Sequence, residues 1–251
     1  MERTLDGRVA FVTGGWHGLG AAITDRLVSR GAAVGVGYRR PDPDVDEFFA
    51  ERAGHPITLH HGSLTEPADC RRTIAELVEQ RGRLDVLVAQ VNFRNAGLLS
   101  IRRGTRSLTD GEWERAITGH LSGAFHLAQA ALEHMTAARF GRVVFVLGYA
   151  GVHDLQGHFA AVRGGLGALA AELAREVAGS GVTVNQVATG LLADEILADL
   201  PEEALAATMR NIPVGRPAEL AEVARVVEFL ADPECGYLTG QLIAVDGGLT
   251  L

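Results

Sequence analysis

The chain has almost no cysteine: Cys70 and Cys235 are the two among 251 residues. That excludes a small secreted scaffold stapled by disulfides and favours a reducing compartment. Positive charge is in deficit, with Lys+Arg 23 against Asp+Glu 31 and a formal net charge of -8, which argues against a nucleic-acid or anionic-membrane partner while leaving room for a local basic pocket. No apolar run reaches the roughly 20 residues of a membrane span, and the N-terminal residues lack the pattern of a secretory signal. No His/Cys arrangement has convincing metal-ligand spacing, so no metal is expected. These absences predict a soluble cytoplasmic protein. What is abundant is apolar residues, 47%, and glycine, 31 residues; together with the length they predict one well-buried domain over residues 1–251.

The chain is organised around Val9-Ala-Phe-Val-Thr-Gly-Gly-Trp-His-Gly-Leu-Gly20. An apolar run reads as a buried strand, after which Gly14, Gly15, Gly18 and Gly20 turn the backbone into a helix starting near Leu19. Glycines suit that turn because no Cβ keeps a diphosphate from the backbone N–H groups at the helix N-terminus. The helix continues through Ala22, Ile23, Leu27 and Val28 and ends at Gly31. Ala33 to Gly37 is a second strand, followed by Tyr38, Arg39 and Arg40. An acidic residue there would favour the free 2′-hydroxyl of NAD, whereas two arginines suit a 2′-phosphate. A solvated basic turn is the alternative.

Further along, strands are expected at 57–61, 84–89, 142–147, 182–187 and 241–245, and helices at 66–81, 112–138, 159–177, 201–210 and 217–230, with a short helix after the two prolines near 41–43. Thr109-Asp-Gly-Glu112 has the form of a capping box, and the helix after it is expected to break near Gly119. Residues 190–213 read as a mobile segment over the substrate. Strands alternating with helices throughout predict an α/β fold: a single Rossmann-type, doubly wound parallel sheet of about seven strands with helices on both faces.

Thr13-Gly-Gly-Trp-His-Gly-Leu-Gly20, Leu84-Asp-Val-Leu-Val88, Leu173-Ala-Arg-Glu-Val177, Gly181-Val-Thr-Val-Asn185, and Tyr237-Leu-Thr-Gly-Gln241 with Asp246-Gly-Gly248 together resemble the short-chain dehydrogenase/reductase family over essentially the whole chain, closest in flavour to its bacterial ketoacyl-reductase-like members. The resemblance implies a nicotinamide cofactor at the C-terminal ends of the strands, NADP(H) in view of Arg39 and Arg40, and a homotetramer or homodimer. It implies cofactor contacts at Gly14, Trp16, His17, Gly18, Leu19, Gly20, Arg39, Arg40, Ser63, Leu64 and Gly190.

The site departs from that family pattern. Family members use an Asn-Ser-Tyr-Lys set, in which Tyr transfers the proton and Lys lowers its pKa; these positions fall on His120, Gly148, Phe159 and Arg163. Phenylalanine has no proton to give. The adenine-bracketing Asp corresponds to Ser63, and Asp194 replaces the Thr that commonly contacts the cofactor. The catalytic candidates are therefore Tyr149, His153 or His158 as proton donor, with Arg163 orienting the cofactor or an anionic group, and His120 beside them. Each has a plain alternative as a packed aromatic, a loop histidine or a surface ion pair.

Three functions follow. The first is an NADP(H)-dependent oxidoreductase acting on a small or medium biosynthetic metabolite with a non-standard proton donor. The second is non-redox chemistry on the same scaffold, such as cyclisation, dehydration or an epoxide-type reaction. The third is a non-catalytic subunit paired with an active relative through the two long helices, where small Ala and Gly residues permit close packing.

Overall fold

The computed structural model describes residues 3–91, 105–148, 157–193 and 202–251. Among them the chain runs β1 (Val9–Thr13), α1 (Gly18–Ser29), β2 (Ala33–Tyr38), α2 (Pro43–Glu51), β3 (Ile57–His61), α3 (Pro67–Arg81), β4 (Val86–Val91), α4 (Asp110–Ala116), a π-helical turn (Ile117–Ser122), α5 (Gly123–Ala137), β5 (Gly141–Leu147), α6 (Gly157–Val177), β6 (Val182–Thr189), α7 (Glu202–Arg210), α8 (Leu220–Ala231) and β7 (Leu242–Val245). The seven strands form one parallel sheet in the order β3-β2-β1-β4-β5-β6-β7. This is the doubly wound α/β sheet expected from the alternation.

Strand alternation assigns the two cores. Phe11, Leu87, Ala89, Val143, Phe145 and Leu147 face one side, where Ile74 and Leu77 of α3, Leu127 and Met135 of α5 and Val162 and Leu166 of α6 cover them. Ala10, Val12, Val86, Val88, Val144 and Val146 face the other, covered by Ile23 and Leu27 of α1 and Val223, Val227 and Leu230 of α8. Central strands buried on both faces have to be apolar at successive positions, which is why they read as unbroken runs.

Element ends shift by a few residues from the sequence expectation, each for a local reason. The strand expected from Leu84 begins at Val86 because Asp85 is taken up by a polar clamp. Its carboxylate, 2% exposed, accepts from Arg8, from both Nε and Nη2 of Arg83 and from the Val9 N–H at 2.6–2.9 Å. The last long helix begins at Leu220, where Glu219 and Glu222 form a capping box. The single helix expected over 112–138 is α4, the π-helical turn and α5 in succession. At its start, the Glu112 N–H donates to Thr109 Oγ1 at 3.2 Å and the Thr109 N–H to Glu112 Oε2 at 2.9 Å, the reciprocal pair read from sequence. None of the described helices is long and apolar enough to cross a membrane.

Candidate functional site

In this strand order the chain leaves β1 toward β2 and later enters β4 on the other side, so a crevice opens at the C-terminal ends of these strands. A cavity of about 1200 Å³ lies there. Its wall includes the glycine turn (Thr13, Gly14, Trp16, His17, Gly18), the exit of β2 (Tyr38, Arg39, Arg40), the acidic start of α2 (Asp42, Asp44, Glu47), the loop after β3 (Gly62, Ser63, Leu64, Thr65), the end of β4 (Ala89, Gln90), α4 and the π-helical turn (Glu112, Glu114, Arg115, His120), and His158 at the start of α6.

The glycines of the turn divide by role. Gly14 and Gly18 have positive φ, +60° and +47°, with open space where a Cβ would stand. These two form a cradle on the cavity. Gly20 lies behind it: a Cβ there would sit 2.0 Å from the Gly14 carbonyl oxygen, so the helix can approach the turn only without one. Gly15 is packed too, and its carbonyl accepts from the Thr24 hydroxyl at 2.8 Å. His17 is the N-cap of α1 in extended conformation; its side chain makes no capping hydrogen bond, and the first turn carries no acid. The Gln90 N–H donates to Thr13 Oγ1 at 2.8 Å, tying the ends of β1 and β4 across the crevice.

At one end of the cavity Arg39 and Arg40 are exposed, and among the described residues neither forms an ion pair. The His61 ring makes a polar contact from Nε2 to the Arg39 carbonyl at 3.0 Å and meets Tyr38 edge-on, which anchors the backbone under the two guanidiniums. Beside them the Ser63 N–H donates to Asp69 Oδ2 at 2.9 Å, and its hydroxyl lies 2.8 Å from that of Thr65. This backbone donor, followed by the Arg72 guanidinium, holds the Asp69 carboxyl below its ordinary value. Burial pushes the neighbouring Cys70 thiol up to about 11, so it stays protonated near neutral pH.

At the other end the widened helical turn carries His120, and α6 packs on that turn through Gly165, where a Cβ would lie 2.8 Å from Leu121. Burial, reinforced by the neighbouring His158, lowers His120 to about 4. His158 is 3% exposed with no hydrogen-bond partner at Nδ1. Burial lowers its pKa as well, opposed by the Glu112 carboxylate. His158 lines the cavity; its neighbour Phe159, buried against it with ring centroids 4.0 Å apart, does not.

The cavity therefore gathers Gly14, Trp16, His17, Gly18, Arg39, Arg40, Ser63, Leu64, His120 and His158 from the sequence-derived set. Other members stand elsewhere. The Leu19 side chain belongs to the core under α1, and Gly20 closes the turn from behind. Gly190 packs against Asp246, with its N–H donating to the Val245 carbonyl. Arg163 is half-buried on α6 and is not on the cavity wall. Tyr149, His153 and Asp194 lie outside the described residues. Glu112 is a wall residue that the sequence reading treated only as half of a helix cap. A second missed signal is that all 23 Lys+Arg residues are arginine, so the chain has no lysine. Among the described residues no group of three or more His, Cys, Asp or Glu is placed to hold a metal ion.

Comparison with known proteins agrees with this architecture. The family described as Enoyl-(Acyl carrier protein) reductase matches residues 14–250. The chain is 32% identical to the 3-oxoacyl-(acyl-carrier-protein) reductase FabG of Vibrio harveyi, over 98% of each chain. It is equally identical to the enzyme of that name from Thermotoga maritima, over 98% of this chain and 99% of that one. Among solved structures it superimposes on a double mutant of a Serratia marcescens short-chain dehydrogenase/reductase with a TM-score of 0.87 at 28% identity, covering 99% of this chain and 100% of the other. A second, the crystal structure of gox2181, gives a TM-score of 0.89 at 27% identity, covering 99% and 98%. With its glycine cradle, its parallel sheet order and these relatives over nearly its whole length, the chain belongs to the short-chain dehydrogenase/reductase family.

Proposed function

We propose that this protein is an NADP(H)-dependent oxidoreductase that reduces a carbonyl or activated alkene of a small or medium biosynthetic metabolite, or runs the reverse oxidation. The observation that carries this reading is one continuous cavity with the Arg39–Arg40 pair at one end, the open Gly14–Gly18 cradle in the middle and a cluster of titratable side chains at the other. The cradle fits a diphosphate because the absent Cβ atoms leave free space at both glycines, and the first turn of α1 carries no carboxylate and no cap from the His17 side chain. The arginine pair fits a 2′-phosphate, which a guanidinium can bind with two parallel hydrogen bonds. When bound, the reduced nicotinamide supplies the hydride. The residues of this chain hold its diphosphate and adenosine ends and shield the reacting end behind α4 and α6.

Calorimetric titration with NADPH, with NADH as comparison, tests the reading: NADPH binds at least tenfold tighter. Hydrogen bonds to a charged group contribute about 1.5–3 kcal/mol, which is roughly 10- to 100-fold in affinity. Arg39→Ala therefore weakens NADPH by that factor and leaves NADH nearly unchanged. Equal loss for both nucleotides would remove the 2′-phosphate assignment, and no binding of either would overturn the oxidoreductase reading.

A further inference from the structure

A carbonyl reductase needs a group that gives a proton to the oxygen as hydride reaches the carbon. Among the described residues few are able to do so. The chain has three tyrosines, Tyr38, Tyr149 and Tyr237. Tyr38 stands beside Arg39 at the far end of the cavity, and Tyr237 is fully exposed at 103%. There is no lysine to lower the pKa of a phenol. Cys70 lies on the wall with Ser63 and Leu64, its thiol directed at their carbonyl oxygens.

The first turn of α6 presents His158 to the cavity and keeps Phe159 off the wall. That ring is 97% removed from solvent and has an unpartnered Nδ1, so no hydrogen bond at that atom locks it into one tautomer. His120, from the π-helical turn, shares the wall with it. So does Glu112, from α4, near enough for its carboxylate to favour the charged form of His158.

We propose that His158 is the proton-transfer residue of this site and that His120 and Glu112 are its positioning residues, an assignment that rests on the oxidoreductase reading above. In the reducing direction a bound reduced nicotinamide dinucleotide would supply the hydride to the carbonyl carbon. The C=O π bond breaks, and the oxygen takes the proton of the His158 imidazolium to become a hydroxyl. Oxidation of the dinucleotide would balance the reduction, and neutral His158 recovers a proton from solvent. In the oxidising direction neutral His158 accepts the hydroxyl proton as the hydride leaves the same carbon.

Among the described residues, the ionisable groups that share this end of the wall are Glu112, Glu114 and Arg115 from α4 and His120 from the π-helical turn. Burial holds both rings below the ordinary 6.5, His120 at about 4, and a charge on His158 further disfavours one on His120. Reduction, which needs the imidazolium, then falls as pH rises through the His158 pKa. Oxidation, which needs the neutral ring, falls as pH drops through it.

The test joins a titration to a rate. Histidine side-chain NMR on the full chain, independent of any substrate, shows His158 titrating below 6.5. Glu112→Gln moves that midpoint lower while keeping a residue able to complete the Thr109 cap, and His158→Gln moves His120 up from about 4. With NADPH and a 3-oxo ester such as ethyl acetoacetate as probes, His158→Gln lowers kcat by at least roughly 100-fold. NADPH affinity stays unchanged, which also shows that the variant is folded; His158→Asn serves as a second variant.

Independent titration of the two histidines, or a His158 midpoint that Glu112→Gln leaves in place, overturns the proposal whether or not the ester is turned over. NADPH binding with a full rate in His158→Gln, or a loss found in Tyr149→Phe instead, overturns the role of His158 alone. Failure of the wild-type chain to bind NADPH overturns the oxidoreductase reading itself.

Discussion

Gly20→Ala is expected to abolish NADPH binding and to destabilise the fold by on the order of 3 kcal/mol, the upper part of the usual range for overpacking. The Cβ of an alanine would stand 2.0 Å from the Gly14 carbonyl oxygen and 2.8 Å from its carbon, and both are backbone atoms that no rotamer change can move aside. Relief requires α1 to withdraw from the turn, which displaces Gly14 and Gly18 and the first N–H groups of the helix together. Gly14→Ala makes the contrast. Its Cβ meets nothing within 4 Å, but the position has a φ of +60°, so its cost is the left-handed backbone penalty of about 1–2 kcal/mol and its main effect is to fill the cradle. Urea unfolding with parallel calorimetry separates the two. Wild-type stability in Gly20→Ala would show that the turn is not packed in this way.

The second large effect is expected at the opposite end of the strands. Asp85→Ala removes a buried carboxylate that two arginines and the Val9 N–H share, leaving a buried donor and two guanidiniums without their acceptor. Breaking a fully buried ion pair costs about 3–5 kcal/mol. Arg8 and Arg83 are 25% and 45% exposed, so water takes over part of the load, and we expect about 2–3 kcal/mol. Asp85 precedes β4, at the end of the sheet away from the cavity, so NADPH affinity of the folded protein at 25 °C should not change. A Tm drop accompanied by an equal loss of nucleotide affinity would show that the clamp and the cavity are coupled through β1 and β4. No loss of stability would show that the arginines find other acceptors.

The motif Leu84-Asp-Val-Leu-Val88 thus has a structural meaning that the sequence did not display. Read as a string it marks a buried strand of a nucleotide-binding family; in the fold its aspartate fastens β4 to the residues that lead into β1. The capping box at Thr109 and Glu112 is the reverse case. Its local meaning, the start of a helix, is encoded within four residues and appears as expected. Its second meaning, a carboxylate set against His158, depends on a residue 46 positions away and on how α4 packs against α6.

The parallel sheet, the glycine turn and the order of the elements were legible in the sequence because each rests on short-range pattern: unbroken apolar runs for strands buried on both faces, Gly where the backbone must turn into α1, and helical periodicity between them. The resemblance to the family, carried by motifs spread along the chain, pointed to the same fold. Tertiary structure alone decided how those residues divide their work. It separated Gly14 and Gly18, which open on the cavity, from Gly20, which packs the turn, although a string of glycines treats them alike. It turned His158 and not Phe159 toward the cavity, because the rotation of α6 is set by its contact with the π-helical turn at Gly165 and Leu121. It also brought His120, His158 and Glu112 from three elements to one wall. Local conformation follows from a few neighbouring residues and can be read from them, whereas burial, the placing of two histidines on one wall and the facing of a helix arise from packing between segments far apart in the chain.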